Sequence, residues 1–238
     1  VSLEPQDELT TAEQARIIAA VRAETMRRTA VDGWFWLTTL VKTRDEADQD
    51  SVKQFPRKPY LHELWNLIEG NQRVVIAKSR QLMLSWLLCA FAVWTARYQS
   101  NKLIIWQAQK KEDADSMVCL PGGDKDAGFT ARMQFIVRSL PEWARGQWKE
   151  AEGELTCRDT QSTIKALPGG ANQVRGKTPS VIIEDEFAYQ DEQQGVYQAV
   201  APLIQKATKL IVVSTPNGAT NTFSTLFHGA PVGVSIPT

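Results

Sequence analysis

One stretch of the chain, residues 73–94, restricts the possible folds more than any other. It begins with a short β-branched run, 74–77, that is typical of a buried strand. A polar loop, 78–81, follows, and the apolar run 84–96 after it is too long for a strand and predicts a buried helix. A strand, a basic loop, a hydroxyl group and a helix in this order give the layout of a phosphate-binding loop.

The residues of this loop differ from the usual pattern Gly-x-x-x-x-Gly-Lys-[Ser/Thr]. If Ser85 is the last residue of the pattern, glycine is expected at positions 78 and 83 and lysine at 84, but the chain has Lys78, Met83 and Leu84 there. Only Ser85 matches. Within the loop itself, the layout alone therefore predicts phosphate binding.

Length and composition favour one soluble α/β domain. With 238 residues, of which 43% are hydrophobic and 23% charged, the chain can bury a full core. Its net charge of zero does not indicate a nucleic-acid binder, although a local basic patch remains open. The widely spaced Cys89, Cys119 and Cys157 predict reduced, mostly buried thiols and no cysteine metal site. The apolar run after the loop is shorter than the roughly 20 residues that cross a bilayer, so no membrane contact is expected.

Strands and helices alternate along the chain. Residues 1–55 are expected to form a helical flank or lid, with a helical pattern over 10–45 capped by Thr10 or Thr11, and 56–238 the core. Further strands are predicted at 102–108, 154–157, 162–167, 181–183 and 210–213, helices at 61–68, 110–118, 129–140, 192–207 and 222–227, and a loop at 45–58. This alternation predicts a mostly parallel sheet with helices on both faces, whose ligands bind at the carboxyl ends of the strands.

Two further polar segments are predicted at that edge of the sheet. The acidic residues 184–186 follow the strand at 181–183, where an aspartate can hold Mg²⁺ and the next glutamate can orient and deprotonate an attacking water. Residues 214–218 follow the strand at 210–213, and hydroxyl groups there can sense a γ-phosphate. Alone, each segment would be interpreted as a solvated turn. The loop, the acidic cluster and the turn in this order are more specific than any one of them.

In this order, the three segments resemble the large terminase subunit of tailed bacteriophages over about residues 55–230. The resemblance is carried by Lys78-Ser79-Arg80-Gln81 with Ser85, by Val174-Arg175-Gly176, by residues 181–186 and by Ser214-Thr215-Pro216-Asn217-Gly218. It implies a P-loop ATPase domain of the additional-strand type, which translocates double-stranded DNA into a preformed capsid. In the full protein a nuclease domain follows. No nuclease carboxylates can be assigned here, and the chain is expected to be an isolated ATPase domain cut from a longer protein.

The resemblance also implies roles for single residues. Some members of the family carry their lysine at the start of the loop, where an ammonium group can neutralise β/γ-phosphate charge, and Lys78 fits this variant. Arg80 would contact the γ-phosphate in cis or complete a neighbouring subunit's site. With ATP bound, Ser85 and Asp185 would hold Mg²⁺, and Glu186 would be the general base. The expected nucleotide-binding residues are Tyr60, Lys78, Ser79, Arg80, Gln81, Leu82, Met83, Leu84 and Ser85, and the expected coupling residues are Ser214, Thr215, Pro216 and Asn217.

Three residues leave alternatives open. Met83 stands where a glycine would let the backbone approach the phosphate, which predicts weaker or partner-dependent nucleotide binding. Tyr60 either stacks on the adenine base or packs on the protein, and the glutamine that the family usually has near it is missing. Arg175 is either a solvated loop residue or a contact to nucleotide or DNA.

The resemblance implies partners as well. They are double-stranded DNA, the portal protein, the small terminase subunit and further copies of the chain in a homo-oligomeric ring on the capsid, in the host cytoplasm and transiently at the procapsid vertex. Two other functions stay open. One is a helicase-like ATPase with related acidic and coupling motifs. The other, suggested by Met83 and Leu84, is a degenerate P-loop domain that binds DNA or portal without turnover.

Overall fold

The computed structural model describes residues 10–44, 51–79, 82–120, 131–204 and 207–229, and the backbone of 233–235. Its helices are α1 (Thr11–Val31), α2 (Gly33–Leu40), α3 (Pro59–Gly70), α4 (Leu84–Tyr98), α5 (Lys111–Val118), α6 (Arg132–Ser139), α7 (Glu142–Arg145), α8 (Gln193–Ile204) and α9 (Thr222–Gly229). Its strands are β1 (Lys42–Arg44), β2 (Val52–Gln54), β3 (Arg73–Ala77), β4 (Leu103–Ala108), β5 (Trp148–Ala151), β6 (Glu154–Cys157), β7 (Ser162–Pro168), β8 (Val181–Glu184), β9 (Lys209–Ser214) and β10 (Gly233–Ser235). Short 3₁₀ helices occupy Ala171–Gln173 and Phe187–Tyr189.

The central sheet has the strand order β10-β3-β9-β8-β4-β7-β6-β5. The strands from β10 to β7 run parallel, and β6 and β5 add an antiparallel edge. One strand, β9, lies between β3, which leads into the phosphate loop, and β8, which leads into the acidic cluster. This interposed strand confirms the predicted additional-strand P-loop fold.

Two hydrophobic layers cover the faces of the sheet, because successive side chains of a strand point to opposite sides. In β3, for example, Val74 and Ile76 pack towards α2 to α6, whereas Val75 and Ala77 pack towards α8 and α9. Helix α4 is buried over nearly all of its length, as the apolar run predicted. The three cysteines are free thiols and all are buried, as expected.

Helix α1 begins where the sequence predicted. The Thr10 hydroxyl accepts a hydrogen bond from the backbone of Glu13, whose carboxylate accepts one from the backbone of Thr10. The predicted helix over 10–45 is broken at Asp32, which caps α2 by accepting a hydrogen bond from the Phe35 backbone at 2.7 Å. A single long helix was therefore the wrong prediction, because this aspartate competes for backbone donors.

The N-terminal segment packs on the core. The indole of Trp94 in α4 donates to the carbonyl of Thr29 at 2.9 Å, and this holds the end of α1. Trp36 and Leu37 of α2 are fully buried in the same layer as α3 and α4. The division into a flank over 1–55 and a core over 56–238 stays a prediction.

Several short elements differ from the sequence-based prediction. Residues 52–54 form a strand paired with β1, where a loop was predicted. Strands β5 and β10 were missed, and β10 follows α9, which was expected to close the fold. Helix α6 begins at Arg132 and α8 ends at Ile204; residues 129 and 130 lie outside the described part. The missed strands are three or four residues long, and pairing with neighbours rather than local pattern decides their formation. No described helix combines the length and apolar character needed to cross a membrane.

Candidate functional site

The register of the sheet brings the three polar segments together at the carboxyl ends of β3, β9 and β8. Ala77 pairs with Ser214 across β3 and β9, and Glu184 pairs with Val212 across β8 and β9. Two residues beyond Glu184, the chain is therefore level with Ser214. The backbone N–H of Lys78 donates to the Ser214 carbonyl at 3.0 Å, so the pairing continues into the start of the phosphate loop.

Lys78 lies between the two carboxylates that the sequence assigned to catalysis. Its Nζ is 3.0 Å from Oε1 of Glu186 and 3.5 Å from Oδ1 of Asp185. The Lys78 side chain is only 11% exposed and that of Asp185 8%. Attraction between charges is stronger at such sites than in bulk water. The structure thus joins the early lysine and the acidic pair into one cluster.

The two carboxylates differ in their pKa. Burial raises the pKa of Asp185 above its usual range, and the neighbouring Glu186 charge adds to this, whereas Lys78 opposes it. Burial also pushes the pKa of Glu186 upwards, but the Lys78 ammonium and the donors of Thr215 outweigh it, so that the pKa lies below its usual range. Glu186 is therefore ionised at neutral pH, as a proton acceptor must be.

The second oxygen of Glu186 is held by the turn after β9. Oε2 accepts hydrogen bonds from the backbone N–H and the hydroxyl of Thr215, both at 3.1 Å, and lies 3.3 Å from the Ser214 hydroxyl. The Glu186 backbone has φ 46° and ψ 45°, a left-handed conformation that costs a non-glycine residue about 1 kcal/mol or more. Strained backbone of this kind is concentrated at functional sites, where the surrounding contacts maintain it.

The phosphate loop keeps the backbone shape of its expected glycine. Met83 adopts φ 57° and ψ 8°, the left-handed region that a glycine enters without strain. It is the N-cap of α4, so Leu84 and Ser85 are the first helical residues. The first N–H groups of a helix have no partner within it, and they attract anions. The loop can thus present α4 to a phosphate despite the methionine.

Tyr60 is attached to this loop. Its hydroxyl donates to the carbonyl of Leu82 at 3.3 Å, and its ring packs, partly buried, against the core layer of α4. Burial raises the pKa of the Tyr60 hydroxyl, which therefore stays a proton donor. Of the two predicted alternatives, the packed one is present in this structure, and stacking on a base stays a prediction.

The other predicted residues differ in how far they can be placed. Ser79 follows Lys78 and is partly exposed, whereas Arg80 and Gln81 lie outside the described residues. Pro216 is exposed, and the side-chain amide of Asn217 donates to the Ala188 carbonyl at 3.2 Å.

Arg175 is exposed in the loop before β8 and donates to the side chain of Asn172 at 3.0 Å. Within the described part of the chain, its hydrogen bonds do not reach the Lys78 cluster. Its role in nucleotide or DNA contact stays a prediction.

A buried polar cluster behind the acidic pair was not predicted. Gln107, Glu184 and Gln190 are at most 4% exposed, and each has one side-chain oxygen without a partner in the described structure. The amide of Gln190 donates to Oε2 of Glu184 and to the Asp185 carbonyl, both at 3.2 Å. The available signal was the presence of polar residues inside or at the end of apolar strands. Burial raises the pKa of Glu184 to about 7.

This shifted carboxyl group gives a prediction about stability. From pH 4.5 to about 7 the folded protein keeps a proton on Glu184 that the unfolded chain releases, so wild-type stability falls as pH rises, by about 3 kcal/mol in total. Glu184→Gln removes this penalty, and its new amide can donate to an unpartnered oxygen. The variant should therefore gain stability over wild type at pH 8 and little at pH 4.5, measured by urea unfolding.

The exposed Glu192→Gln is the matched control and should change stability at neither pH. An equal effect of Glu184→Gln at both pH values would contradict the prediction, because it would separate the stability change from ionisation.

The site also offers ligands for a metal ion. The Ser85 hydroxyl and the Asp185 carboxylate are hard oxygen donors, which Mg²⁺ prefers. Among the described residues, there is no group of three or more His, Cys, Asp or Glu side chains that could form a cage by themselves. A few protein oxygens completed by substrate phosphates are the usual Mg²⁺ arrangement at nucleotide sites. The donor set therefore fits Mg²⁺ bound together with a nucleotide.

A phosphate loop on β3, an acidic pair after β8 and a strand between them define the class of additional-strand P-loop NTPases. Solved structures of this class superpose on the chain. The large terminase of bacteriophage HK97 has a TM-score of 0.58 at 13% identity, over 84% of this chain and 40% of that one. The ATPase domain of the Thermus phage P74-26 large terminase has a TM-score of 0.52 at 18% identity, over 71% and 69%.

A third structure adds a bound nucleotide. The large terminase from another thermophilic bacteriophage, solved in complex with ADP, has a TM-score of 0.54 at 15% identity, over 71% of this chain and 41% of that one. The chain spans about two fifths of the HK97 protein and of this ADP-bound terminase. No family model matches its sequence. At these identities the comparisons show a common fold, and the chain has the fold of the ATPase domain of phage large terminases.

Proposed function

We propose that the chain is the ATPase motor domain of a viral large terminase, which hydrolyses ATP to translocate double-stranded DNA into a procapsid. The observation that carries this proposal is the position of Lys78 between Asp185 and Glu186, on a left-handed phosphate loop at the start of α4. The fold shared with large terminase ATPase domains supports it, and so does the complex of one such terminase with ADP.

The first step is an exchange of partners by Lys78. Without nucleotide, its ammonium group neutralises the two acids. The β- and γ-phosphates of ATP carry more negative charge, and they lie next to the first residue of a loop that wraps around them. Lys78 therefore turns to the phosphates, while the N–H groups at the start of α4 hold them from the other side. This releases Oε1 of Glu186.

The second step is hydrolysis. Glu186 is ionised, and with Oε1 released it accepts a proton from the attacking water while Thr215 still holds Oε2. Ser85 and Asp185 would hold Mg²⁺, which neutralises charge on the phosphates. Arg80 supplies a further positive charge, in cis or to a neighbouring copy. Ser214 to Asn217 lie against Glu186 and carry the loss of the γ-phosphate into a movement of the chain.

The biological setting is part of the same proposal. DNA, the portal protein and the small terminase subunit are the expected partners, and the active form is a ring of copies on the capsid. The left-handed Met83 supports a competent loop over a degenerate one, because it keeps the backbone conformation that phosphate binding needs.

A structure with ATP-γ-S and Mg²⁺ tests the nucleotide site. We expect Nζ of Lys78 within hydrogen-bond distance of a β- or γ-phosphate oxygen and no longer on Glu186. A nucleotide bound elsewhere, or a Lys78 still held by both acids, would refute the site.

DNA translocation needs a separate assay with the assembled motor. ATP-dependent protection of double-stranded DNA inside procapsids is the expected result. Strand separation without packaging would instead support the helicase-like alternative.

A further inference from the structure

The segment that carries Glu186 is connected to helix α9 by a second route besides the chain itself. Ala188 lies in the 3₁₀ turn after Glu186, and its N–H donates to the Ser214 hydroxyl at 3.0 Å. The Ala188 carbonyl accepts hydrogen bonds from the side-chain amides of Gln193 at 3.0 Å and Asn217 at 3.2 Å. Ala188 is thus the point where the turn after β9 and the first residue of α8 meet.

Gln193 extends this connection to α9. Its Oε1 accepts a hydrogen bond from the backbone N–H of Phe223 at 3.1 Å. Phe223 is the second residue of α9 and is 2% exposed, so its N–H has neither an intrahelical partner nor free access to water. One planar amide therefore holds the Ala188 carbonyl with its nitrogen and the start of α9 with its oxygen.

Helix α9 is also held from the coupling turn. Asn221 caps the helix by accepting a hydrogen bond from the Ser224 backbone at 2.9 Å, and its own amide donates to the Asn217 carbonyl at 2.5 Å. The helix packs against β3, β10 and the 3₁₀ turn. Both ends of its environment are consequently the strands and the turn that surround Glu186.

We propose that Gln193 is a positioning residue that ties helix α9 to the Glu186 segment, so that α9 shifts when Glu186 changes partners during nucleotide binding. This inference rests on the proposed function and assigns α9 as the element that first receives the signal. The strained Glu186 backbone and the short 3₁₀ turn move as one unit, because the hydrogen bonds of Ala188 leave it no independent position. Gln193 passes that movement to Phe223.

Amide hydrogen exchange at Phe223, followed by NMR on the full chain, tests this connection. Binding of ATP-γ-S with Mg²⁺ should change the exchange rate of this amide in the wild type by about fivefold or more. Gln193→Met, which keeps the volume but removes both hydrogen bonds, should speed exchange by about tenfold without nucleotide and abolish the response. Nucleotide affinity, measured on the same samples, should stay within about twofold of wild type.

A second variant separates coupling from helix capping. Gln193→Glu keeps an acceptor for the Phe223 N–H but has no donor for the Ala188 carbonyl. It should retain slow exchange without nucleotide and still lose the response, which a purely structural role would not produce. Gln194→Met, the same change at the adjacent exposed glutamine, is the matched control and should behave like wild type.

The outcomes are distinct. Unchanged Phe223 exchange in a wild-type sample that binds nucleotide would overturn the inference and leave the proposed function intact. A normal response in Gln193→Met would also overturn it. Absence of nucleotide binding in every sample would refute the proposed site and the inference together.

Discussion

Glu186→Gln is expected to reduce ATP hydrolysis by about a hundredfold to ten thousandfold, because an amide cannot accept the proton of the attacking water. Nucleotide binding should survive. In the nucleotide-free protein, Oε1 of Glu186 competes with phosphate for the Lys78 ammonium at 3.0 Å, and the variant removes this competing charge. Affinity for ATP-γ-S should therefore be equal to wild type or higher. Phosphate release and binding of a fluorescent nucleotide measure the two effects separately.

The glutamine keeps the size of the glutamate and one oxygen for the donors of Thr215, so the turn after β9 should stay in place. Glu192→Gln makes the same chemical change at an exposed position six residues further on and should leave turnover unchanged. Turnover is to be measured in the assembled motor with DNA. Normal turnover of Glu186→Gln there would contradict its assignment as general base.

Lys78→Met should weaken nucleotide binding by about tenfold to a hundredfold, the loss expected for hydrogen bonds from a charged donor to phosphate. It should also lower stability, since Asp185 loses the cation that opposes its burial. Its raised pKa lets Asp185 take up a proton instead, and the loss of stability should consequently become smaller as pH falls. Titration with ATP-γ-S and urea unfolding at two pH values measure these effects.

Two further variants keep this prediction decisive. The double variant Lys78→Met with Glu186→Gln removes one of the uncompensated carboxylates, and it should recover stability without recovering affinity. Lys110→Met removes the same charge from an exposed lysine after β4, at the same edge of the sheet, and should leave binding unchanged. If Lys78→Met binds nucleotide like wild type, the early lysine has no part in the site.

Much of the fold followed from local patterns. The long apolar run over α4, the β-branched runs of β3, β8 and β9 and the hairpin of β6 and β7 were all predicted near their observed bounds. Their signal is strong because burial on both faces requires continuous apolar sequence. The exposed strands β1 and β2 carry no such signal, and their formation depends on each other.

The candidate site was predicted in part. The order of loop, acidic cluster and turn placed Lys78, Glu186 and Thr215 at one edge of the sheet, because parallel strands end together. Their contacts were not predictable from that order. Nothing local in the sequence indicates that Glu186 is held through both oxygens, or that Gln193 joins α8 to α9.

The opening stretch shows the same division at a single residue. By itself, the sequence determined that a strand, a polar loop and a buried helix follow one another, since these depend on hydrophobic pattern. At Met83 it predicted a defect. Only the tertiary structure decided that this methionine takes the left-handed conformation of the expected glycine, because packing of Met83 on the core and the Tyr60 hydrogen bond to Leu82 help to hold the loop against the cost of about 1 kcal/mol. Local propensity cannot report contacts between residues that are distant in the chain, and those contacts set the shape of the site.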